Sequence, residues 1–166
     1  MIRILLVCTG NICRSPLAEV AVRKQLSEAG LDAAVVVESA GTQGSHAGEA
    51  PDPRAVTVAA ARGYDFSEKT ARKIVAEDFD RFDWILAMDR ANLSSLRRIC
   101  PDEKRHKLAL FLAFAGINAD GVVIDPYFGN LEGFENTLDA CEAAATALID
   151  RIKSSGALGN GDATPV

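Results

Sequence analysis

The apolar run Ile2 and Ile4–Val7 breaks off at Thr9-Gly10-Asn11, and Ser15-Pro16 follow at once. The run is too short for a helix, so it reads as a buried strand ended by a turn. Ser15 has the side chain of an N-cap and Pro16 suits the first helical position. Ala18, Val22, Leu26 and Ala29 then recur at helical spacing until Gly30 closes the segment. A strand, a tight loop and a helix in immediate succession start a β-α alternation, and the rest of the chain has to continue it or contradict it.

It continues it. Val35–Val37 reads as a second strand, followed by a Gly-rich loop over 41–51 and a helix capped by Asp52 before Pro53, with Val56 and Ala60 on one face and Gly63 at its stop. Trp84–Met88 reads as a third strand, Asn92–Ile99 as a helix closed off by Pro101, and Lys107–Leu112 as a fourth strand. Beyond Asp125-Pro126-Tyr127, the apolar positions Phe134, Leu138, Cys141, Ala145, Leu148 and Ile152 step by four and three, which describes one long amphipathic helix. Such alternation favours an α/β fold: one three-layer domain, a parallel sheet with helices on both faces and right-handed crossovers. The Gly-, Ser- and Ala-rich stretch 154–166 has no apolar period and is expected to be a mobile tail.

Composition narrows the function classes. With 166 residues, 48% of them apolar, the chain can bury about two-thirds of its unfolded surface and needs neither disulfide nor metal to fold. Eighteen basic against 23 acidic residues give a formal charge of -5 with no basic run, which argues against nucleic acid as a partner. No stretch approaches the roughly 20 apolar residues of a membrane span. The N-terminal run is short for a signal peptide and lacks a cleavage pattern, so a cytoplasmic location away from membranes is expected. Cys8, Cys13, Cys100 and Cys141 should then be mostly reduced. They form no Cys-x2-Cys pair, and with His46 and His106 as the only histidines no zinc site is expected.

Ligands of parallel α/β sheets bind beyond the carboxyl ends of the strands, which directs attention to the loop Cys8-Thr9-Gly10-Asn11-Ile12-Cys13-Arg14-Ser15. Between a strand and a helix N-terminus, the successive N–H groups of residues 9–15 can curl around a tetrahedral anion. Gly10 would relieve the steric limit of the turn, and Arg14 offers a planar fork able to grip two phosphate oxygens. The same field favours a thiolate at Cys8, toward which the Ser15 hydroxyl could point.

The segment Val7–Pro16 resembles the signature of the low-molecular-weight protein tyrosine phosphatases, and Asp125-Pro126-Tyr127 resembles their late acid motif. Further segments match in the family's order: Glu38–Thr42, Pro51–Ala55, Ala71-Arg72, Phe82–Asp89 and Asn92-Leu93. The resemblance covers residues 1–153 and implies a four-stranded parallel sheet and a metal-independent, two-step hydrolysis of phosphotyrosine monoesters through a phosphocysteine. Cys8 would be the nucleophile, Arg14 the phosphate clamp and Asp125 the proton donor and later the base. Asn11, Ser15 and Ser39 would brace the loop. Tyr127 and Phe128 would form an aromatic wall of the substrate cleft, with Ser45 and His46 on the facing loop. Cys13 would be a redox partner that shields Cys8 from over-oxidation. Partners would be phosphotyrosine proteins or aryl phosphates, with inorganic phosphate as product and inhibitor, acting on a monomer or weak dimer.

Two positions depart from the family pattern. Ser45 stands where many members carry Trp, which bears on substrate preference. Lys69 stands where the loop-bracing network usually has His, which bears on loop rigidity. Two rivals share the loop. An arsenate reductase would need a relay of thiols, but Cys100 and Cys141 are 41 residues apart. A phosphocysteine carrier would have no use for Asp125, since it does not activate water.

Overall fold

The computed structural model describes residues 1–66, 68–118 and 120–158. The sheet is built of four parallel strands, β1 (Ile2–Cys8), β2 (Val35–Gly41), β3 (Trp84–Ala87) and β4 (Leu108–Leu110), in the order β2-β1-β3-β4. The helices are α1 (Arg14–Glu28), α2 (Pro53–Ala61), α3 (Asp78–Arg81), α4 (Arg90–Ile99), α5 (Phe111–Ala115) and α6 (Leu131–Ser154), with a 3-10 turn over Asp102–Lys107. No helix among the described residues is long and apolar enough to cross a membrane.

The period of two along β1 divides its side chains between two cores. Ile2, Ile4, Leu6 and Cys8 join α1, α2 and α6 on one face, through Leu17, Val22, Phe134 and Leu148 among others. Leu5 and Val7 face the other way, onto Phe79 of α3 and Leu93 and Leu96 of α4. Burial on both faces explains why the strand reads as an unbroken apolar run rather than an alternating one. Cys8 ends β1 on the α1–α6 side, at the carboxyl edge of the central strands.

Several boundaries differ from the sequence reading, each for a physical reason. The α1 helix starts at Arg14 with Cys13 as its N-cap, and no side chain caps it. Ser15, expected to be the cap, lies inside the first turn, where its hydroxyl serves the loop instead. Lys107 and the pair Phe111-Leu112 fall outside β4, and the latter two open α5. Short apolar runs suit a strand and a buried helical turn equally well, and here three residues of pairing suffice before the chain turns. β2 runs four residues past Val37 to Gly41, which carries Ser39 into the sheet. The expected cap at Asp52 forms, accepting a hydrogen bond from the Arg54 N–H at 2.9 Å. α6 extends to Ser154, and turns continue to a half-buried Leu158 packed against the core. Residues 159–166, the remainder of the segment expected to be a mobile tail, lie outside the described residues.

Candidate active site

The loop between β1 and α1 winds around the Cys8 sulfur. The Asn11 N–H donates to Sγ at 3.3 Å, and the Ser15 hydroxyl lies 3.0 Å from it. The turn depends on Asn11, the only non-glycine among the described residues with positive φ, at 57°. Asn tolerates this left-handed region when its side chain is held locally. Here Nδ2 donates to Ser15 Oγ at 2.8 Å and to Ser39 Oγ at 2.9 Å, while Oδ1 accepts from the Arg72 N–H at 3.0 Å.

Gly10, expected to absorb the turn, has no positive φ. It is required for space instead, because a Cβ there would sit 3.0 Å from the His46 ring. At Gly41 the β2 backbone passes the loop so closely that a Cβ would lie 2.7 Å from the Thr9 carbonyl oxygen.

Arg14 is 2% exposed and lines the same cavity as Cys8. Its Nη1 donates to Asp89 at 2.6 Å and to the Val123 carbonyl at 3.2 Å, and Nη2 lies 3.4 Å from Thr9 Oγ1 and 3.5 Å from Asp125 Oδ2. Burial works against the guanidinium charge, but the Asp89 hydrogen bond and the nearby Cys8 and Asp125 outweigh it and raise the pKa above the ordinary arginine value. Asp89 also caps α4, accepting from the Asn92 N–H at 2.7 Å, and the Asn92 amide fills the gap between Asp89 and Thr9. One carboxylate thus fixes both a helix start and the clamp.

Behind the loop, the Ser39 hydroxyl donates to the Glu19 carboxylate, which also receives Lys69 Nζ at 2.8 Å. Glu19 is buried, so without a cation and a hydrogen-bond donor its charge would be costly. Lys69 therefore takes a place in the bracing network, paired to Glu19, and its departure from the family's usual His leaves Ser39 and Asn11 tied down.

Cys8, Ile12, Arg14, Ser45, His46, Asp125, Tyr127 and Phe128 line one cavity of about 270 Å³. Tyr127 N–H donates to Asp125 Oδ1 at 3.1 Å, orienting the carboxyl across from Cys8. Tyr127 and Phe128 meet edge to face at 5.0 Å, with Phe128 95% exposed at the rim. His46 pairs with Glu49 at 2.7 Å on the opposite lip. Every candidate read from the loop, the acid motif and the facing loop is therefore within or directly behind one cleft.

The cysteines separate by environment. All four are unpaired thiols. Burial, helped by the Asp52 carboxylate, pushes the Cys13 thiol up to about 12, so it is neutral at pH 7. Burial also pushes Cys141 up to about 12. Cys100 belongs to the α4-side core and Cys141 to the opposite one, so the sheet separates them and no thiol relay connects them. Among the described residues no cluster of three or more His, Cys, Asp or Glu is arranged to hold a metal ion.

Asp89, Asn92 and Glu19 were not singled out as functional by sequence reasoning. Asp89 and Asn92 enter the sequence reading only through the matching segments Phe82–Asp89 and Asn92-Leu93 and the helix over 92–99, and Glu19 does not enter it. Pairings such as Arg14–Asp89, 75 residues apart, leave no local period to read.

Comparison with known proteins returns one family. The family model described as "Low molecular weight phosphotyrosine protein phosphatase" matches residues 3–158. The chain is 42% identical over 154 residues to a low molecular weight protein-tyrosine-phosphatase of Streptomyces coelicolor, covering 91% of this chain and 93% of that one. It superposes with TM-score 0.88 and 35% identity on a protein tyrosine phosphatase of Entamoeba histolytica with Hepes in the active site, covering 93% and 99% of the two chains. A low molecular weight phosphotyrosine phosphatase of Vibrio cholerae gives TM-score 0.87 and 38% identity, covering 94% and 99%.

Proposed function

The chain belongs to the low molecular weight phosphotyrosine protein phosphatase family, and from that premise we propose that it hydrolyses phosphotyrosine monoesters through a phosphocysteine at Cys8. The observation that carries the reading is the sulfur itself, held at the base of the loop by the Ser15 hydroxyl and the Asn11 N–H with Arg14 lining the same cavity.

In the first step the Cys8 thiolate attacks phosphorus, the S–P bond forms and the aryl P–O bond breaks. Arg14 and the loop N–H groups of residues 9–15 meet the charge spread over the equatorial oxygens. Asp125, in its acid form, gives its proton to the departing phenolate oxygen. In the second step the Asp125 carboxylate takes a proton from water, the new O–P bond forms and the S–P bond breaks. The sulfur leaves as thiolate, stabilised by the two donors it already faces, and inorganic phosphate departs from the loop. The phosphoryl charge is met by protein donors, so the scheme calls on no metal. A tetrahedral sulfonate such as Hepes has the shape and charge this cradle suits, in keeping with its place in the Entamoeba relative.

The cleft fits a flat aryl group. Ile12 and Tyr127 offer apolar surface on either side, and Phe128 extends it at the rim. With Ser45 in place of a large aromatic ring, the facing wall is small and polar, which leaves room for bulkier or more polar surroundings of the phosphotyrosine. Cys13 lines the same cavity and is the thiol available to close on an oxidised Cys8. A nucleophile that works as an unpaired thiol suits the reducing cytoplasm.

The test is leaving-group dependence. Asp125→Ala should lower kcat/KM for an aryl phosphate with a poor leaving group by about 100-fold or more and for an activated one by much less, because that ratio reports phosphoryl transfer to Cys8 and only the former leaving group needs the proton. Equal losses on both esters would remove Asp125 as the acid.

A further inference from the structure

Asp125 lies in the connection between α5 and α6, outside the sheet, and its distance from Cys8 has to be fixed by something other than strand pairing. The turn that follows is closed on itself by the Gly129 N–H donating to the Pro126 carbonyl at 2.9 Å. Upstream the segment is held by the Val123 N–H donating to the Met88 carbonyl at 2.7 Å and by Arg14 on the Val123 carbonyl; on the downstream side the tie to the site is Arg54, in the first turn of α2. Its Nη2 donates to the Tyr127 carbonyl at 2.9 Å and its Nη1 to the Gly129 carbonyl at 3.0 Å. The guanidinium also lies over the Phe134 ring, 4.5 Å from its centroid, and 5.7 Å from that of Tyr127.

The other edge of the same guanidinium is anchored. Nε and Nη2 reach the two carboxylate oxygens of Asp52 at 3.0 and 2.9 Å. Asp52 in turn is fixed to the phosphate loop, its N–H donating to the Ile12 carbonyl at 2.8 Å. The Arg54 hydrogen bonds hold the Asp52 carboxyl below the usual carboxylate range, so the anchor is charged at working pH. A continuous set of contacts therefore runs from Ile12 through Asp52 and Arg54 to the carbonyls on either side of Phe128.

We infer that Arg54 is the positioning residue for the general acid: it sets the Asp125 turn, and the Tyr127 ring with it, at a fixed reach from the phosphate loop. This rests on the phosphatase reading above. All five donors of a guanidinium lie in one plane, which lets one edge grip Asp52 while the other grips two carbonyls. A lysine ammonium could keep the charge but not span both. Proton transfer to a leaving oxygen is steeply sensitive to where the Asp125 carboxyl sits, whereas attack by Cys8, on the other side of phosphorus, does not depend on that carboxyl's position.

The experiment measures kcat and KM on phenyl phosphate and on a dinitrophenyl phosphate, for wild type, Arg54→Lys, Asp52→Asn and Asp125→Ala, and for the double variant Arg54→Lys with Asp125→Ala. Asn is as good a cap as Asp, so Asp52→Asn weakens the anchor without removing the start of α2. Arg54→Lys should lower kcat/KM on phenyl phosphate by about 30-fold, within the roughly 100-fold that a misplacement of about an ångström can cost, and on the dinitrophenyl ester by less than about 3-fold. Asp52→Asn should show the same bias in smaller measure. In the Asp125→Ala background, Arg54→Lys should add little. Equal losses on both esters, no loss, or a full additional loss in the double variant would overturn the assignment, leaving Arg54 an ordinary packing residue. If Asp125→Ala itself shows no leaving-group bias, it is the underlying acid assignment that fails, and this inference fails with it. A bias for Asp125→Ala without one for Arg54→Lys and Asp52→Asn rejects the inference alone.

Discussion

Cys8→Ser is expected to lower the turnover of aryl phosphates by on the order of 10^4-fold or more, while the thermal transition stays near that of the wild type. The two groups that face the sulfur, the Ser15 hydroxyl and the Asn11 N–H, are placed to stabilise an anion there. Neither is a base. A serine hydroxyl at the same place would have nothing to take its proton, and its alkoxide lies far from reach at neutral pH. The sulfur is buried against the α1–α6 core, where oxygen is slightly smaller and accepts the same two donors, so folding should suffer little. Kinetics on phenyl phosphate, with thermal unfolding and inorganic phosphate binding as controls, check both halves. Turnover within tenfold of wild type would exclude Cys8 as the nucleophile.

Arg14→Lys is expected to cost about 10^2- to 10^3-fold in kcat/KM, with KM and kcat both affected. The guanidinium serves Asp89 and the Val123 carbonyl through one nitrogen and faces Thr9 and Asp125 through the other. An ammonium has no second edge to turn toward a phosphoryl oxygen while it remains paired with Asp89. Weaker inhibition by inorganic phosphate should accompany the loss, because product and transition state share the clamp. Wild-type kinetics and phosphate inhibition in this variant would refute the bidentate arrangement.

The architecture was legible wherever local chemistry and tertiary need coincide. The β1 run, the Asp52-Pro53 start of α2 and the four-and-three stepping of α6 each announce one structure because burial and propensity agree there. Legibility failed where a residue's usual local role was overridden. Ser15 reads both as a cap and as a hydroxyl aimed at Cys8, and only the second role holds, since its hydroxyl is used by Cys8 and Asn11. Gly10 gives the loop the steric room expected of it, yet the left-handed conformation falls to Asn11, because Ser15, Ser39 and Arg72 hold its amide. The loop after β1 could be singled out as a compact segment of local chemistry, and the segments around Asp125 and Ser45 through the resemblance. The resemblance places Lys69 in the bracing network, but the other partners were not legible: Asp89 for Arg14, Glu19 for Ser39, and Arg54 for the Asp125 turn come from distant elements that only the folded chain brings together.

The two-step scheme makes one demand that no single-displacement mechanism shares. In Asp125→Ala, a dinitrophenyl phosphate should still transfer its phosphoryl group quickly, since its leaving group needs no proton, but water lacks its base in the second step. Rapid mixing should therefore show a burst of dinitrophenol close to one per enzyme molecule, with the phosphoryl group found on the peptide that carries Cys8 when the reaction is stopped during the burst. Linear product release from the start, with no phosphoryl group on that peptide while turnover proceeds, would mean that water attacks the ester directly and would contradict the account.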